Sequence, residues 1–482
     1  MFFLAQASSS SSSAGYFISF FPSSLAIVAT VAVIPATVAV IAVLGIILFS
    51  GLAALSYYLL KRSPFQPQLS QIKQALLKTG RSLIQSLQQQ IQAVTKGLLL
   101  QTLGFLVSQN WLITKVEKHP LMTKALLWLI AQDYGKIKLN PSLAVYLPIY
   151  YDDVTYYFLT NDRPRNERYI ESINRAVKDK IVVEIGTGKD AILSRFCCAA
   201  GAKKVYTIEI NERVYQQAKA SVESLGLADK IQVIYGDGQT TEIPELADIC
   251  VSELLGSIAS SEGVTPIINS SRRFLKPDGI MLPSRSLTKV AAISLPNDFL
   301  ANHSFNQIDW YWINKVFKYV GYPFDIRVGV YNLPPENLVS SIEVFEDLDF
   351  TQPTPPETTE EVKFKITKSG KIDGFLLWLQ LYTDPEQVLD ALEEKSNWLP
   401  TFFPVFYPGV VVTEGDEITA ICRVTLSENK LNPDYQIQGR LIRQTGEPLD
   451  FIYDSFYQQP SFRKTAFYQE LFTPEGKAVI RT

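Results

Sequence analysis

Glu253 and Glu262 lie in the stretch VSELLGSIASSEG, directly after an apolar run at residues 247–252 that reads as a strand. Upstream, EIGTG at residues 184–188 has the form of a strand end entering a nucleotide-type binding loop. Two carboxylates at the mouth of such a sheet can grip a planar cation from two sides. A guanidinium fits best, because its fork of donors matches carboxylate geometry bidentately. Glu253 and Glu262 are therefore catalytic candidates, in an enzyme acting on arginine.

The elements that must position them follow one another in order. Residues 180–185 form an Ile- and Val-rich strand, then come Gly186-Thr187-Gly188 and a helical run at 191–200. Glycines there let the backbone turn sharply and approach a ligand, although many strand–turn–helix loops carry such a pair for steric reasons alone. The next unit adds weight. Residues 205–210 (VYTIEI) form a second strand with Glu209 near its end, where an acid typically binds ribose hydroxyls. Asn211 is placed to cap the following helix. A third strand, 231–235, ends in Gly236-Asp237-Gly238, with Asp237 in position for an adenine amino group. Strands alternating with helices, with ligand groups at the strand ends, make a doubly wound α/β pattern. To this point nicotinamide and S-adenosylmethionine both remain open as ligands. The segment RRFLKPDGIMLP, residues 272–283, reads as a helix, a Lys-Pro-Asp-Gly turn and a strand, and looks like the later part of a class I methyltransferase core.

From about Tyr151 to the region of Leu441 the chain resembles the protein arginine methyltransferases. The most specific piece is the double-glutamate loop, SELLGSIASSEG, with that family's spacing between Glu253 and Glu262. The wording SELLGS and the later NWLPTFFPVFYP, residues 397–408, look most like the branch that makes symmetric dimethylarginine. Asp162-Arg-Pro-Arg165 with Tyr169 resembles the family's N-terminal cofactor lid, with Tyr156 and Phe158 as its aromatic candidates, and AGAKKVYTIE resembles its second-strand motif. The resemblance implies S-adenosylmethionine as cofactor, with Arg165 at the methionine carboxylate and Glu184, Gly186, Gly188, Glu209, Asp237 and Gly238 around the remainder; the plainer alternative is that Glu253 or Glu262 pairs with Arg165 and merely holds the lid. It implies an arginine-containing protein or peptide as substrate, Trp398 as a substrate contact, a barrel-like second domain and a homodimer. Two features depart from the family. The third glycine of its loop is replaced within Lys189-Asp190-Ala191, where Asp190 either caps the helix or repels the methionine carboxylate. The Thr-His-Trp loop is also absent, and Trp398 stands in a context that suits the symmetric branch instead.

Charge is unevenly placed along the 482 residues. Residues 1–60 hold no charged side chain, and residues 25–60 are overwhelmingly apolar, longer than the ~20 needed for one helical span. One tilted transmembrane helix ending at Lys61 is the first reading, and a hairpin turning at Pro35 the second. A cleaved signal peptide lacks its positive n-region. Residues 61–116 then carry Lys61, Arg62, Lys73, Lys78, Arg81, Lys96 and Lys115 and no acid, which places the rest of the chain on the cytoplasmic side. Apolar residues at helical spacing from Leu69 to Leu100 suggest a basic amphipathic helix on an anionic leaflet, the alternative being an ordinary helix packed on the enzyme or on a second subunit. Cys197, Cys198, Cys250 and Cys422 show no metal-ligand spacing and read as buried thiols; with only His119 and His303 present, no metal site is expected. Basic residues gather beside the membrane segment rather than around the site, so nucleic acid is not an expected partner, whereas membrane lipid is.

After Pro283 strand-like segments recur at 286–294, 324–331, 361–367, 374–382, 417–426 and 437–443, and the aromatic cluster Trp310-Tyr311-Trp312 marks an insertion-like stretch at 297–322 that belongs to a dimer arm, to substrate contacts or, for any single aromatic, to packed core. The expected fold class is α/β plus β: a transmembrane anchor and Ser-rich tail (1–61), a basic amphipathic helical region (62–140), a Rossmann-like class I methyltransferase core (141–283) and a β-barrel or sandwich domain (284–482). Two rivals carry their own expectations. A methyltransferase of a small molecule or lipid would not depend on a guanidinium site. A non-catalytic membrane scaffold that kept the fold would not bind S-adenosylmethionine.

Overall fold

The computed structural model describes residues 137–142, 156, 159–300, 303–305, 307–460 and 465–472. All fall in the second of two compact units, Ile130–Thr482, the first being Met1–Leu129. The membrane segment, the basic amphipathic helix and Phe158 lie outside the described residues. Among the described residues no helix is long and apolar enough to cross a membrane.

The elements that matter here are β1 (Lys138–Pro141), α1 (Arg163–Ala176), β2 (Ile181–Ile185), α2 (Ile192–Ala199), β3 (Lys204–Glu209), α3 (Glu212–Ser224), β4 (Ile231–Tyr235), β5 (Ala247–Ser252), a 3₁₀ turn (Ala259–Glu262), α4 (Val264–Ser271) and β6 (Leu275–Leu282). β2 to β6 form a five-stranded sheet in the order β4-β3-β2-β5-β6, and every pair is parallel. β2 (IVVEI) is buried along its whole length, as a strand covered on both faces must be. α1 begins at Asp162, whose carboxylate accepts the Arg165 N–H at 3.3 Å, with a proline in its first turn. It buries Arg165, Tyr169, Ser172 and Ile173, one stripe at helical spacing. α3 begins at Asn211, whose side chain accepts the Val214 N–H, and it buries Val214, Ala218 and Val222. The expected Lys-Pro-Asp-Gly turn is a bulge inside β6, because the register jumps from Ala247 opposite Leu275 to Ile249 opposite Ile280.

The second domain continues with β7 (Arg285–Ile293), α5 (Gln307–Val320), β8 (Val328–Tyr331), β9 (Glu343–Asp349), β10 (Thr358–Lys365), β11 (Gly370–Ile372), β12 (Gly374–Asp384), β13 (Gln387–Asp390), β14 (Thr401–Phe403), β15 (Val410–Val412), β16 (Glu417–Leu426), β17 (Pro433–Ile442), β18 (Leu449–Ser455) and α6 (Ala466–Leu471). One sheet runs β1-β8-β14-β12-β7-β9 with β13 beside β12, and another runs β10-β16-β17-β18. β12 (GFLLWLQLYTD) lies at the centre. Phe375 and Leu377 face the four-stranded sheet, with Ile418 and Ile437 in the same core. Leu376 and Trp378 face the other way, among Ile313 and Val316 of α5 and Phe467 of α6. Each such fully buried side chain contributes roughly 1.5–3 kcal/mol. Leu379 and Leu381 complete the strand in the core of the parallel sheet, so one strand enters all three clusters.

Two sequence expectations change here, and the aromatic cluster is located. β1 lies at the boundary drawn between the helical region and the methyltransferase core, yet it pairs with β8 and belongs to the second domain's sheet. The strand expected over 324–331 is confined to Val328–Tyr331. The aromatic cluster sits in helix α5, where Trp310 meets Phe305 and Phe472 edge-on as part of the core, and no strand pairing involves it.

Candidate active site

The strand order reverses between β2 and β5: β3 and β4 extend to one side of β2, while β6 extends beyond β5. In open α/β sheets ligands bind outside the strand C-termini at such a switch point. Ile185 and Ser252 stand side by side as the last residues of β2 and β5, so the loop beginning at Gly186 and the carboxylate of Glu253 flank that crevice.

The glycine loop is shaped as a cradle. Gly186 and Gly188 have φ of +84° and +63°, and a Cβ on Gly186 would meet Leu254 Cδ2 at 3.0 Å. A Cβ on Gly188 would meet the Tyr156 ring at 3.3 Å, which brings the lid aromatic directly over the loop. Glu209 ends β3 with its carboxylate buried. It accepts Gly188 N–H at 3.0 Å through Oε2 and Asn211 N–H at 2.9 Å through Oε1, and burial raises its pKa. Asp237 accepts Gln239 N–H at 2.8 Å and shapes the turn from Gly236 to Thr241, and a Cβ on Gly238 would meet Ile185 at 2.8 Å. A backbone cradle, an acid at the end of the second strand of the sheet and another acid after the third suit a nucleoside-bearing cofactor such as S-adenosylmethionine.

Two side chains stand differently from the sequence expectation. Asp190 does not cap α2. Ala191 holds the cap position with φ +46° and no side-chain bond, while Asp190 accepts Thr160 Oγ1 at 2.8 Å. The residue that replaces the third glycine is thus tied to the chain just before α1. Glu184 lies beneath the loop instead of facing a ligand. It is 1% exposed, and its Oε2 accepts from Ser194 of α2 and from Thr207 of β3 at 2.8 Å. Glu184 therefore braces β2, β3 and α2 from within the core. Burial pushes its pKa up from 4.5 to about 7. A carboxyl whose folded pKa is raised contributes stability that is whole below about pH 4.5 and is lost as pH rises through about 7. Glu184→Gln has no such titration. The variant therefore gains on the wild type by about 3 kcal/mol between pH 4.5 and pH 8, as read from urea midpoints at each pH.

Glu253 is joined to the lid helix. Arg165, 4% exposed, donates Nη1 to Glu253 Oε2 at 2.8 Å and turns its other edge to Asn166 Oδ1 at 3.0 and 3.2 Å. Glu253 Oε1 accepts only a long bond from Leu255 N–H at 3.4 Å, so that oxygen retains acceptor capacity. Burial raises the Glu253 pKa, and the Arg165 guanidinium opposes that rise. Beneath them Tyr169, fully buried, donates to Ser252 O at 2.8 Å.

Glu262 is half-buried at the end of the 3₁₀ turn. Side chains of the second domain hold this loop. Trp398, 7% exposed, donates Nε1 to Leu255 O at 2.7 Å. Asn432 donates to Ser261 O at 2.9 Å, Thr288 accepts Ala259 N–H at 2.9 Å, and Glu346 accepts from Ser260. Asp162 joins the lid to the Trp398 loop by accepting Asn397 N–H at 2.8 Å. Trp398→Phe leaves Leu255 O without its partner. Stability falls by about 1–3 kcal/mol, as read from urea midpoints.

The sequence did not point to Thr288, Glu346, Asn432 or the Thr160–Asp190 contact, since each reaches its partner from a distant segment. The one local signal was the run EVFEDLD, in which a glutamate follows an aromatic residue inside a strand pattern.

The parallel sheet with its glycine cradle, joined to an antiparallel second domain, is the architecture of a class I methyltransferase with a barrel-like partner domain. Residues 146–282 match the family described as PRMT5 arginine-N-methyltransferase. The "Probable protein arginine N-methyltransferase 6" of Arabidopsis thaliana is 30% identical over 234 residues, which are 46% of this chain and 53% of that protein. The chain thus spans about half the length of this relative. Among solved structures, the open conformation of Arabidopsis thaliana protein arginine methyltransferase 10 is similar at a TM-score of 0.52 and 21% identity, over 64% of this chain and 99% of that one. The Trypanosoma brucei PRMT1 enzyme-prozyme heterotetrameric complex with AdoHcy is similar at a TM-score of 0.51 and 20% identity, over 62% of this chain and 96% of that one. Both structures share the fold.

Proposed function

We propose that the chain is an S-adenosylmethionine-dependent protein arginine N-methyltransferase. The observation that carries this reading is the switch-point crevice, with a glycine cradle on one side and Glu253, braced by Arg165, on the other. The matches to arginine methyltransferases support it.

Arginine is protonated in water, with a pKa of about 12.5–13.8, and its delocalised lone pairs make it a poor nucleophile. Glu253 presents Oε1 while Oε2 stays engaged by Arg165, so one carboxylate edge is fixed before substrate arrives. Glu262 supplies the second carboxylate from the 3₁₀ turn. Together they orient the guanidinium and draw its positive charge away from the reacting nitrogen. The bound cofactor supplies an electrophilic methyl group on a sulfonium. Transfer would form one N–C bond as the sulfonium S–C bond breaks, leaving a neutral thioether, and one N–H proton would pass to a carboxylate or to water.

Finer features belong to the same proposal. A symmetric product is supported by the SELLGS and NWLPTFFPVFYP wording. Attachment through residues 1–61, with the catalytic portion on the cytoplasmic face, is supported by the charge-free apolar run and the basic segment after it. A homodimer follows from the resemblance.

The test uses the full 482-residue chain. Calorimetry measures S-adenosylmethionine binding, and labelled methyl incorporation is compared between arginine peptides and the same peptides with lysine. Saturable binding and arginine-dependent incorporation are expected. Binding with incorporation only into lipid or small molecules favours the small-molecule rival. A folded protein that binds no cofactor favours the scaffold.

A further inference from the structure

We propose that Glu346, on β9 of the second domain, is a positioning residue: it holds the 3₁₀ turn Ala259–Glu262 and so sets where Glu262 presents its carboxylate. The role of Glu262 rests on the function proposed above; the mechanical coupling does not.

Three observations carry the inference. The first is the donor pattern. Glu346 is 4% exposed, and its neighbours are donors. Oε1 accepts from Ser260 Oγ, and Oε2 accepts Thr288 Oγ1 at 2.8 Å and Ser260 N–H at 3.4 Å. Thr288 in turn accepts Ala259 N–H at 2.9 Å. Ser260 Oγ spends its proton on Glu346, so the 2.8 Å contact with Tyr435 is donated by the tyrosine. Two backbone N–H groups of the turn, at 259 and 260, therefore end directly or through one hydroxyl on this carboxylate.

The second is the strand geometry. Thr288 pairs with Glu346 and Lys289 with Val344, so Phe345 is the extra residue of a bulge. The bulge makes Phe345 and Glu346 buried in succession, where strict alternation would turn one of them to solvent. Bulges re-aim side chains, and this one aims a carboxylate at the turn.

The third is charge compensation. Burial raises the Glu346 pKa, and the Arg327 guanidinium opposes that rise. Arg327 is 2% exposed and lies over the Tyr435 ring with Cζ 4.5 Å from its centroid. Such a cation and three donors favour the charged form of a buried carboxylate, whose charge without compensation is costly. A core that needed only packing would place an apolar residue there.

The test compares wild type with Glu346→Gln and Tyr435→Phe in the full chain. The amide of Glu346→Gln puts a donor where the turn offers only donors. Hydrogen–deuterium exchange of the segment 256–263 is expected to speed up about 10- to 100-fold in Glu346→Gln, and less in Tyr435→Phe. The kcat on arginine peptides is expected to fall about 10- to 100-fold, with S-adenosylmethionine affinity within about twofold of wild type. Unchanged exchange in that segment in both variants overturns the coupling. Faster exchange with unchanged kcat overturns the positioning role. A cofactor affinity that falls as far as kcat overturns it too, because general loosening would then explain both. If wild type fails to methylate arginine while exchange still responds, the functional reading fails and the coupling stands. If Glu346→Gln does not fold, Tyr435→Phe gives the same readings.

Discussion

Replacing Glu262 with Gln is expected to lower kcat on arginine peptides by about 10²–10³-fold while S-adenosylmethionine affinity stays within about twofold. The amide keeps the size and one acceptor oxygen of the carboxylate, so what the variant loses is charge. Charge is what a carboxylate contributes when it draws the positive character of a guanidinium away from one nitrogen. The backbone of the turn has holders of its own. Ala259, Ser260 and Ser261 are held by Thr288, Glu346 and Asn432. The glycine cradle and Glu209 belong to other strands of the sheet, so the cofactor half is undisturbed. Calorimetry and steady-state kinetics on one preparation check both halves of the expectation. Wild-type turnover by Glu262→Gln would remove the residue from the catalytic set.

Arg165→Ala is expected to damage both stability and catalysis. Arg165 and Glu253 form a pair with side chains 4% and 14% exposed, and removing one member of a buried pair costs about 3–5 kcal/mol. Glu253 then loses the cation that opposes the rise caused by burial, so its pKa is pushed further up and the protonated form is favoured more than in the wild type. A protonated Glu253 cannot draw charge from a guanidinium, and turnover falls by about 10³-fold or more. The residual rate should increase with pH as Glu253 ionises, over a higher pH range than in the wild type. Arg165→Lys keeps the charge without the two-edged fork that meets both Glu253 and Asn166, so it should lie between the two. Denaturant midpoints and pH–rate profiles separate these outcomes.

The lid helix carrying Arg165 is itself set by the second domain. Arg168 donates to Val388 O and Glu394, Ser172 meets Thr383 at 2.8 Å, and Arg175 reaches Asp384 and Glu386. The exposed pairs contribute little stability individually. Their common effect is orientation: α1 stands against the β12–β13 hairpin, so Arg165 and the Trp398 loop keep a fixed relation across the crevice.

The sequence by itself determined the local pieces. The apolar strands β2, β3, β4 and β5 lie within a residue of where composition and periodicity put them, and Asn211 caps α3 as its position and chemistry required. Gly186, Gly188, Glu209 and Glu253 all lie at strand ends, where the doubly wound pattern demands ligand groups. These features depend on side chains only a few residues apart, so the sequence displays them directly. Tertiary structure alone decided the rest. It chose Glu253 over Glu262 as the partner of Arg165, laid β1 against β8 and moved Glu184 beneath the loop. It turned the Trp398 indole onto Leu255 O and used a one-residue bulge to aim Glu346 at Ser260. Each of these depends on the register between segments far apart in the chain. That register is set by how the sheets and cores pack as a whole, and no local run of residues encodes it.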